Sequence, residues 1–159
     1  MEIWFSEFHA PDVKHSIRVN RHLYSEMSDY QRIDIFDTPE FGRVLTLDGN
    51  VVLTERDEFI YDEMITHIPM AVHPDIQDVL VIGAGDGGVV KELARYDCIK
   101  RIDLVEMDPM VLEACRIYLP ENASKLDDFR VNIYFDNALR FIRRCKDEYD
   151  LIIVDSTDP

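Results

Sequence analysis

The stretch DVLVIGAGDGG, Asp78 to Gly88, decides the fold. Val79 to Ile82 is a continuous aliphatic run, mostly β-branched and closed by glycine, as expected of a central parallel strand covered on both faces. Gly83, Gly85 and Gly88 then keep the G-x-G-x-x-G spacing. In that pattern Gly83 permits a sharp turn, Gly85 lets a ligand approach the backbone, and Gly88 lets the next helix lie close to the sheet. The spacing alone is a weak signal, and its surroundings strengthen it. A strand precedes it, the helical run Val89 to Tyr96 follows, and a second strand, Arg101 to Val105, leads into Glu106. An acid at that point is placed to accept hydrogen bonds from both hydroxyls of a ribose, so an adenosine-type ligand is expected here.

Downstream the alternation continues. Strands are read at Ile102 to Val105, Val131 to Tyr134 and Leu151 to Val154, with helices at Pro109 to Tyr118 and Leu139 to Cys145. Such alternation predicts a parallel sheet with helices on both faces, an α/β, Rossmann-like (methyltransferase-type) arrangement. Four parallel strands are few for such a sheet, and the chain stops at Asp155-Ser156-Thr157-Asp158-Pro159, just after a buried one. A continuation in a longer protein is therefore expected.

Upstream, residues 1–53 read as short strands joined by turns, a small antiparallel β-hairpin domain, with residues 54–159 forming the nucleoside-binding domain. Ile17 to Tyr24 is expected to pair with Arg32 to Asp37, and Asp48-Gly49 between aliphatic runs is the best hairpin signal. Thr54 looks like the cap of a helix running from about Glu55 to Ala71, with Pro69 bending or ending it. Phe59, Ile60, Met64, Ile65 and Ile68 form its expected apolar side. Tyr61, Asp62 and Glu63 interrupt that pattern and read from spacing alone as a solvated face.

Composition narrows the function. With 159 residues, 47% of them hydrophobic, the chain can bury a core. A formal charge of −15 argues against nucleic acid or an anionic membrane as partner and is compatible with a cationic one. The cysteines Cys98, Cys115 and Cys145 have neither disulfide-framework nor zinc-ligand spacing and read as reduced thiols of a cytoplasmic protein. No basic leader opens the sequence, and no apolar run approaches the length of a membrane helix. Asp86, Glu106, the Asp136-Asn137 pair, Asp155 and Asp158 should converge on the C-terminal edge of the sheet. No histidine sits among them, so no metal is expected there.

These residues carry a resemblance. Tyr30-Gln31, RVLTLDGNV (43–51), ERDEFIYDEM (55–64), VLVIGAGDGG (79–88), LVEMDP (104–109) and VDSTDP (154–159) together resemble the spermidine synthase family of polyamine aminopropyltransferases. The resemblance spans essentially the whole chain. It implies a cytosolic homodimer or homotetramer that moves an aminopropyl group from decarboxylated S-adenosylmethionine to putrescine. That donor is a co-substrate, so no cofactor is implied. The resemblance further implies that Gln31 and Glu106 hold the nucleoside beside Gly83 and Gly85. Asp86 would bind the ammonium of the transferred chain, and Asn137 and Ala138 would lie at the adenine. Asp155 would be the proton acceptor, with Tyr61, Asp62 and Asp158 at the amine substrate.

Three positions depart from the family pattern. Asp62 stands where a histidine or glutamine usually meets the polyamine, Asn137 where an aspartate usually accepts from adenine, and Ala84 where a glycine is usual. If Asp62 points at the acceptor, one more carboxylate favours an acceptor with a strong distal cation, such as a guanidinium or a longer polyamine. Otherwise it faces solvent or pairs with a basic residue such as Arg56. Two other functions remain open on sequence: a methyltransferase using intact S-adenosylmethionine, and a non-catalytic module that only binds nucleoside or dimerises. The 159 residues by themselves are expected to be inactive.

Overall fold

In the computed structural model, which describes residues 2–73 and 75–156, the chain divides into two units between Glu58 and Phe59. The first unit is antiparallel throughout. β1 (Ile3–Ala10) and β2 (Val13–Val19) form one hairpin sheet. β3 (Arg21–Met27), β4 (Arg32–Thr38), β5 (Gly42–Leu47) and β6 (Asn50–Thr54) form a second, in that order. Asp48 and Gly49 join β5 to β6 with φ of 50° and 81°. Two left-handed residues in a two-residue loop match the twist of the strands they connect, which is why Asp-Gly was readable there. Ile33 and Ile35 of β4 are fully buried, with Val44 and Leu45 of β5.

The expected strand Ile17 to Tyr24 is broken at Asn20. Its first half ends β2, and its second half starts β3, which alone pairs with β4. Thr54 is also not the helix cap. It ends β6, its hydroxyl donates to Asp57 Oδ1 at 2.5 Å, and the helix begins only at Glu58.

The second unit is built on a parallel sheet ordered β10-β7-β8-β9. Its strands are β7 (Asp78–Gly83), β8 (Arg101–Glu106), β9 (Val131–Phe135) and β10 (Leu151–Asp155). The aliphatic run of β7 serves both faces of the sheet. Val79 and Val81 join a core with α2 (Gly88–Leu93), α3 (Pro109–Tyr118) and the 3-10 turn Asn122–Lys125. Leu80 and Ile82 meet α4 (Ala138–Ile142) through Ala138 and Phe141. α3 starts where Asp108 Oδ1 accepts from Met110 N at 3.0 Å and Pro109 fills the first position, which needs no donor. α4 ends at Ile142, short of the Cys145 expected from sequence.

α1 (Glu58–Val72) runs three residues past Pro69 and turns the expected face outward. Phe59, Ile60, Met64 and Ile68 are each about half exposed, whereas Asp62, Thr66 and Met70 are buried. Only Ile65 of the expected apolar side packs on the core beside Met70. Asp62, Thr66 and Met70 recur every four residues, so they line one side of the helix. The expected solvated face is thus divided: Tyr61 is exposed and Asp62 is 4% exposed.

Candidate active site

The turn after β7 is shaped by what crowds it. Gly83 has φ of 79° and Ala84 φ of 56°. Ala84 N donates to the backbone oxygen of Asp155 at 3.0 Å, and a Cβ placed on Gly83 would lie 1.9 Å from that oxygen. Gly83 therefore meets two demands, a left-handed turn and the passage of the end of β10. A left-handed alanine costs about 1–2 kcal/mol. The Ala84 methyl is buried in the core, which returns most of one buried carbon's worth, about 0.8 kcal/mol. The departure from glycine at this position is accordingly mild.

Gly85 and Gly88 have other neighbours than the spacing implied. A Cβ on Gly85 would lie 2.7 Å from Glu106 Oε2, so this glycine makes room for the Glu106 carboxylate. A Cβ on Gly88 would lie 2.0 Å from Asp62 Oδ2, so α2 is kept clear for a carboxylate of α1 rather than for the sheet. Gly87, at φ 93°, precedes the first turn of α2.

Three carboxylates stand at the ends of β7, β8 and β10. Glu106 Oε1 accepts from Asp108 N at 2.8 Å, which orients the group, while burial pushes its carboxyl up from the ordinary glutamate value. Asp86 Oδ2 accepts from Gly88 N at 3.2 Å and from Asn122 Nδ2 at 3.4 Å. Burial, and then the charge of Asp155, raise the Asp86 carboxyl. Asp155 is also raised by burial, partly offset because the Tyr61 hydroxyl donates to its Oδ1 at 2.9 Å. Tyr61 in turn is pushed up to about 12 by burial and by Asp155, with smaller contributions from Asp62 and Asp86. Carboxylates raised by burial and by one another accept protons readily and are lowered again by an arriving cation. The arrangement can therefore hold an amine and take its proton.

The other expected residues fall as follows. Asp62 does not face solvent, and the ion pair of Arg56 is with Glu40. Asn137 Oδ1 caps α4, accepting from Arg140 N at 3.2 Å, with Ala138 opening the helix. Asp136 is turned to Arg140 and Arg144 and does not join the other acids as an unpaired carboxylate. Gln31 belongs to the first unit, in the β3–β4 turn, where its backbone N–H donates to Ser28 Oγ at 3.0 Å. Asp158 lies outside the described residues.

Two features were not read from the sequence. Asn122, 2% exposed, reaches Asp86 from a 3-10 turn that carries no motif. Glu63, His67 and Glu92 bring ligand atoms within 4.8 Å of one another. Glu63 and His67 are one helical turn apart, but Glu92 comes from another helix, so no spacing announces the group.

Comparisons with known proteins agree on one family. The profile described as "Spermine/spermidine synthase domain" matches residues 58–159, and "Spermidine synthase tetramerisation domain" matches residues 3–55. The chain is 58% identical over 159 residues to a polyamine aminopropyltransferase of Alkaliphilus oremlandii and 60% identical to one of Lachnospira eligens. In both cases all of this chain is covered and 56% of the relative, so the chain spans little more than half of their length. A solved spermidine synthase in complex with the transition state analogue AdoDATO superposes with a TM-score of 0.96 at 44% identity, covering 99% of this chain and 54% of that one. The spermidine synthase from Thermotoga maritima gives 0.95 at 42% identity, covering 97% and 54%.

Proposed function

The chain belongs to the spermine/spermidine synthase family, and from that premise we propose that the whole protein transfers an aminopropyl group from decarboxylated S-adenosylmethionine to putrescine. The products are spermidine and methylthioadenosine. The observation that carries this reading is the Asp155–Tyr61 bond beside Asp86, with Glu106 at the next strand end. Glu106 takes the ribose hydroxyls, with Gly83 and Gly85 beside the nucleoside and Asn137 and Ala138 near the adenine. Asp86 holds the ammonium of the transferred chain. Asp155 removes one proton from the attacking amine, whose lone pair forms the new C–N bond as the C–S bond breaks and sulfur keeps the pair. The donor is consumed, so it is a co-substrate, and the reaction calls for no cofactor.

The test is incubation of the whole protein with decarboxylated S-adenosylmethionine and putrescine, with methylthioadenosine followed by mass spectrometry. Asp155→Asn should lower turnover by about 10²–10⁴-fold, the usual contribution of a positioned base. Methylthioadenosine affinity should change little. Turnover of intact S-adenosylmethionine instead would make the protein a methyltransferase, and binding without turnover a non-catalytic module.

Gln31 of the first unit belongs to the nucleoside site on this reading, and Asp158 to the amine site. Asp62, buried against Gly88 and close enough to raise Tyr61, adds a carboxylate behind the amine site. It favours acceptors with a strong distal cation. In a competition between putrescine and agmatine or a longer polyamine, Asp62→His should shift the choice toward putrescine; an unchanged ratio removes Asp62 from acceptor selection. The match of residues 3–55 to a tetramerisation domain supports assembly as a homodimer or homotetramer, which light scattering of the whole protein decides. We place the protein in the cytoplasm; none of the described helices is long and apolar enough to cross a membrane.

A further inference from the structure

Below the carboxylate site a polar cluster joins α1 to α2. His67 Nε2 lies 3.2 Å from Glu92 Oε2, and the Tyr96 hydroxyl lies 2.7 Å from His67 Nδ1. Glu92 is 5% exposed. Arg95 Nη1 is 2.5 Å from Glu92 Oε2 and 3.8 Å from Glu63, while Lys91 Nζ is 4.0 Å from the other Glu92 oxygen. A metal could be fitted to Glu63, His67 and Glu92 by distance alone. The two basic side chains already stand at those carboxylates, so the charge a cation would supply is in place. The cluster instead fits an imidazole with both nitrogens engaged, Nε2 by Glu92 and Nδ1 by the Tyr96 hydroxyl.

The cluster lies where α1 needs directional contacts. Ile65 and Met70 anchor the helix to the core, but at the Tyr61 end its inward contact is the Asp62 carboxylate at Gly88. Dispersion and burial do not fix how far such a helix slides or rotates, whereas paired polar groups do. His67 lies six positions along the helix from Tyr61, about 9 Å, short enough to carry a displacement from one to the other. We infer that His67, held by Glu92 and Tyr96, is the positioning residue that keeps the Tyr61 hydroxyl on Asp155.

The inference rests on the aminopropyltransferase reading only for its effect on turnover. The titration of Asp155 in the whole protein, followed by carboxyl NMR, reads it without any substrate. Among the described residues, the titratable groups that face Asp155 are Tyr61 from α1 and Asp86 from the turn after β7. Loss of a hydrogen bond to a charged group moves a carboxyl by about one pH unit or more, so Tyr61→Phe should raise the Asp155 midpoint by that amount. His67→Ala should reproduce at least half of the shift, and the double variant should match Tyr61→Phe alone, because both changes remove the same bond.

Turnover should fall about ten-fold in His67→Ala with donor KM within a factor of about three. His67→Gln, whose amide can still donate to Glu92, should recover most of it. Tyr96→Phe carries the same test in milder form should His67→Ala not fold. An unmoved Asp155 midpoint in a folded His67→Ala or Tyr96→Phe protein overturns the inference, as do shifts that simply add in the double variant. A wild-type protein that binds nucleoside but never turns over defeats the function reading alone, since the titration still decides the role of His67.

Discussion

Asp155 has two opposed influences on its proton. Burial raises its carboxyl, and the Tyr61 hydroxyl lowers it by donating to the charged form. On the proposed function Asp155 is the base and must be deprotonated to act, so activity should be lost as pH falls through a midpoint lying above the ordinary aspartate value. Removing the Tyr61 bond raises that midpoint further. In Tyr61→Phe the acid limb of the kcat profile should therefore move up by about one to two pH units, the equivalent of a bond to a charged group. At high pH, where Asp155 is ionised in both forms, the two rates should converge. A limb that stays in place would mean that the base is another residue. Asp86, whose raised carboxyl is the alternative, is then the group to replace. The candidate acids were legible because each sits at a strand end, where a parallel sheet gathers its ligands. Their partners were not: the hydroxyl of Tyr61 is 94 residues from Asp155, and Asn122 is 36 from Asp86.

Among the elements, α1 departs most from its sequence pattern. Hydrophobic periodicity reports that a helix has an apolar side, and it assigns that side to the core by default. Here Phe59, Ile60, Met64 and Ile68 face away from the core of the second unit while Asp62 enters it. The packing of Asp62 on Gly88 makes a direct prediction. Gly88→Ala places a methyl carbon where Asp62 Oδ2 now lies. Because Asp62 is buried, its carboxylate has little room to retreat, and overpacking of this kind costs about 1–3 kcal/mol. Asp62→Ala in the same chain should return most of that loss in urea unfolding, an interaction that independent sites would not show. If the two changes add, Asp62 does not pack on position 88. β7, by contrast, was readable nearly to the residue, since a strand buried on both faces leaves an unbroken aliphatic run.

At the scale of the molecule, a chain of net charge −15 depends on where its few cations are placed. Arg130 illustrates this in the second unit. It donates to the backbone oxygens of Ala94, Tyr96 and Ile99 after α2 and to both oxygens of Asp128. Those bonds hold the Asp128 carboxyl down at about 2. A depressed carboxyl contributes stability that is complete above its unfolded value and is lost as pH falls through the folded one. Between about pH 4 and pH 2 the wild-type protein should lose this contribution, and Asp128→Asn should flatten that part of its stability profile. Arg130→Met, which removes the guanidinium from Asp128 and from three backbone carbonyls, should cost about 3 kcal/mol at neutral pH. An unfolding midpoint unchanged in denaturant would remove Arg130 from this role. Neither α2 nor β9 shows such a brace in its own sequence, because it spans 36 residues and joins a side chain to backbone. Since the Asp155 carbonyl stands where any side chain at position 83 would begin, the turn after β7 and the end of β10 are packed as one piece, and on the proposed function the nucleoside turn and the base can be changed only together.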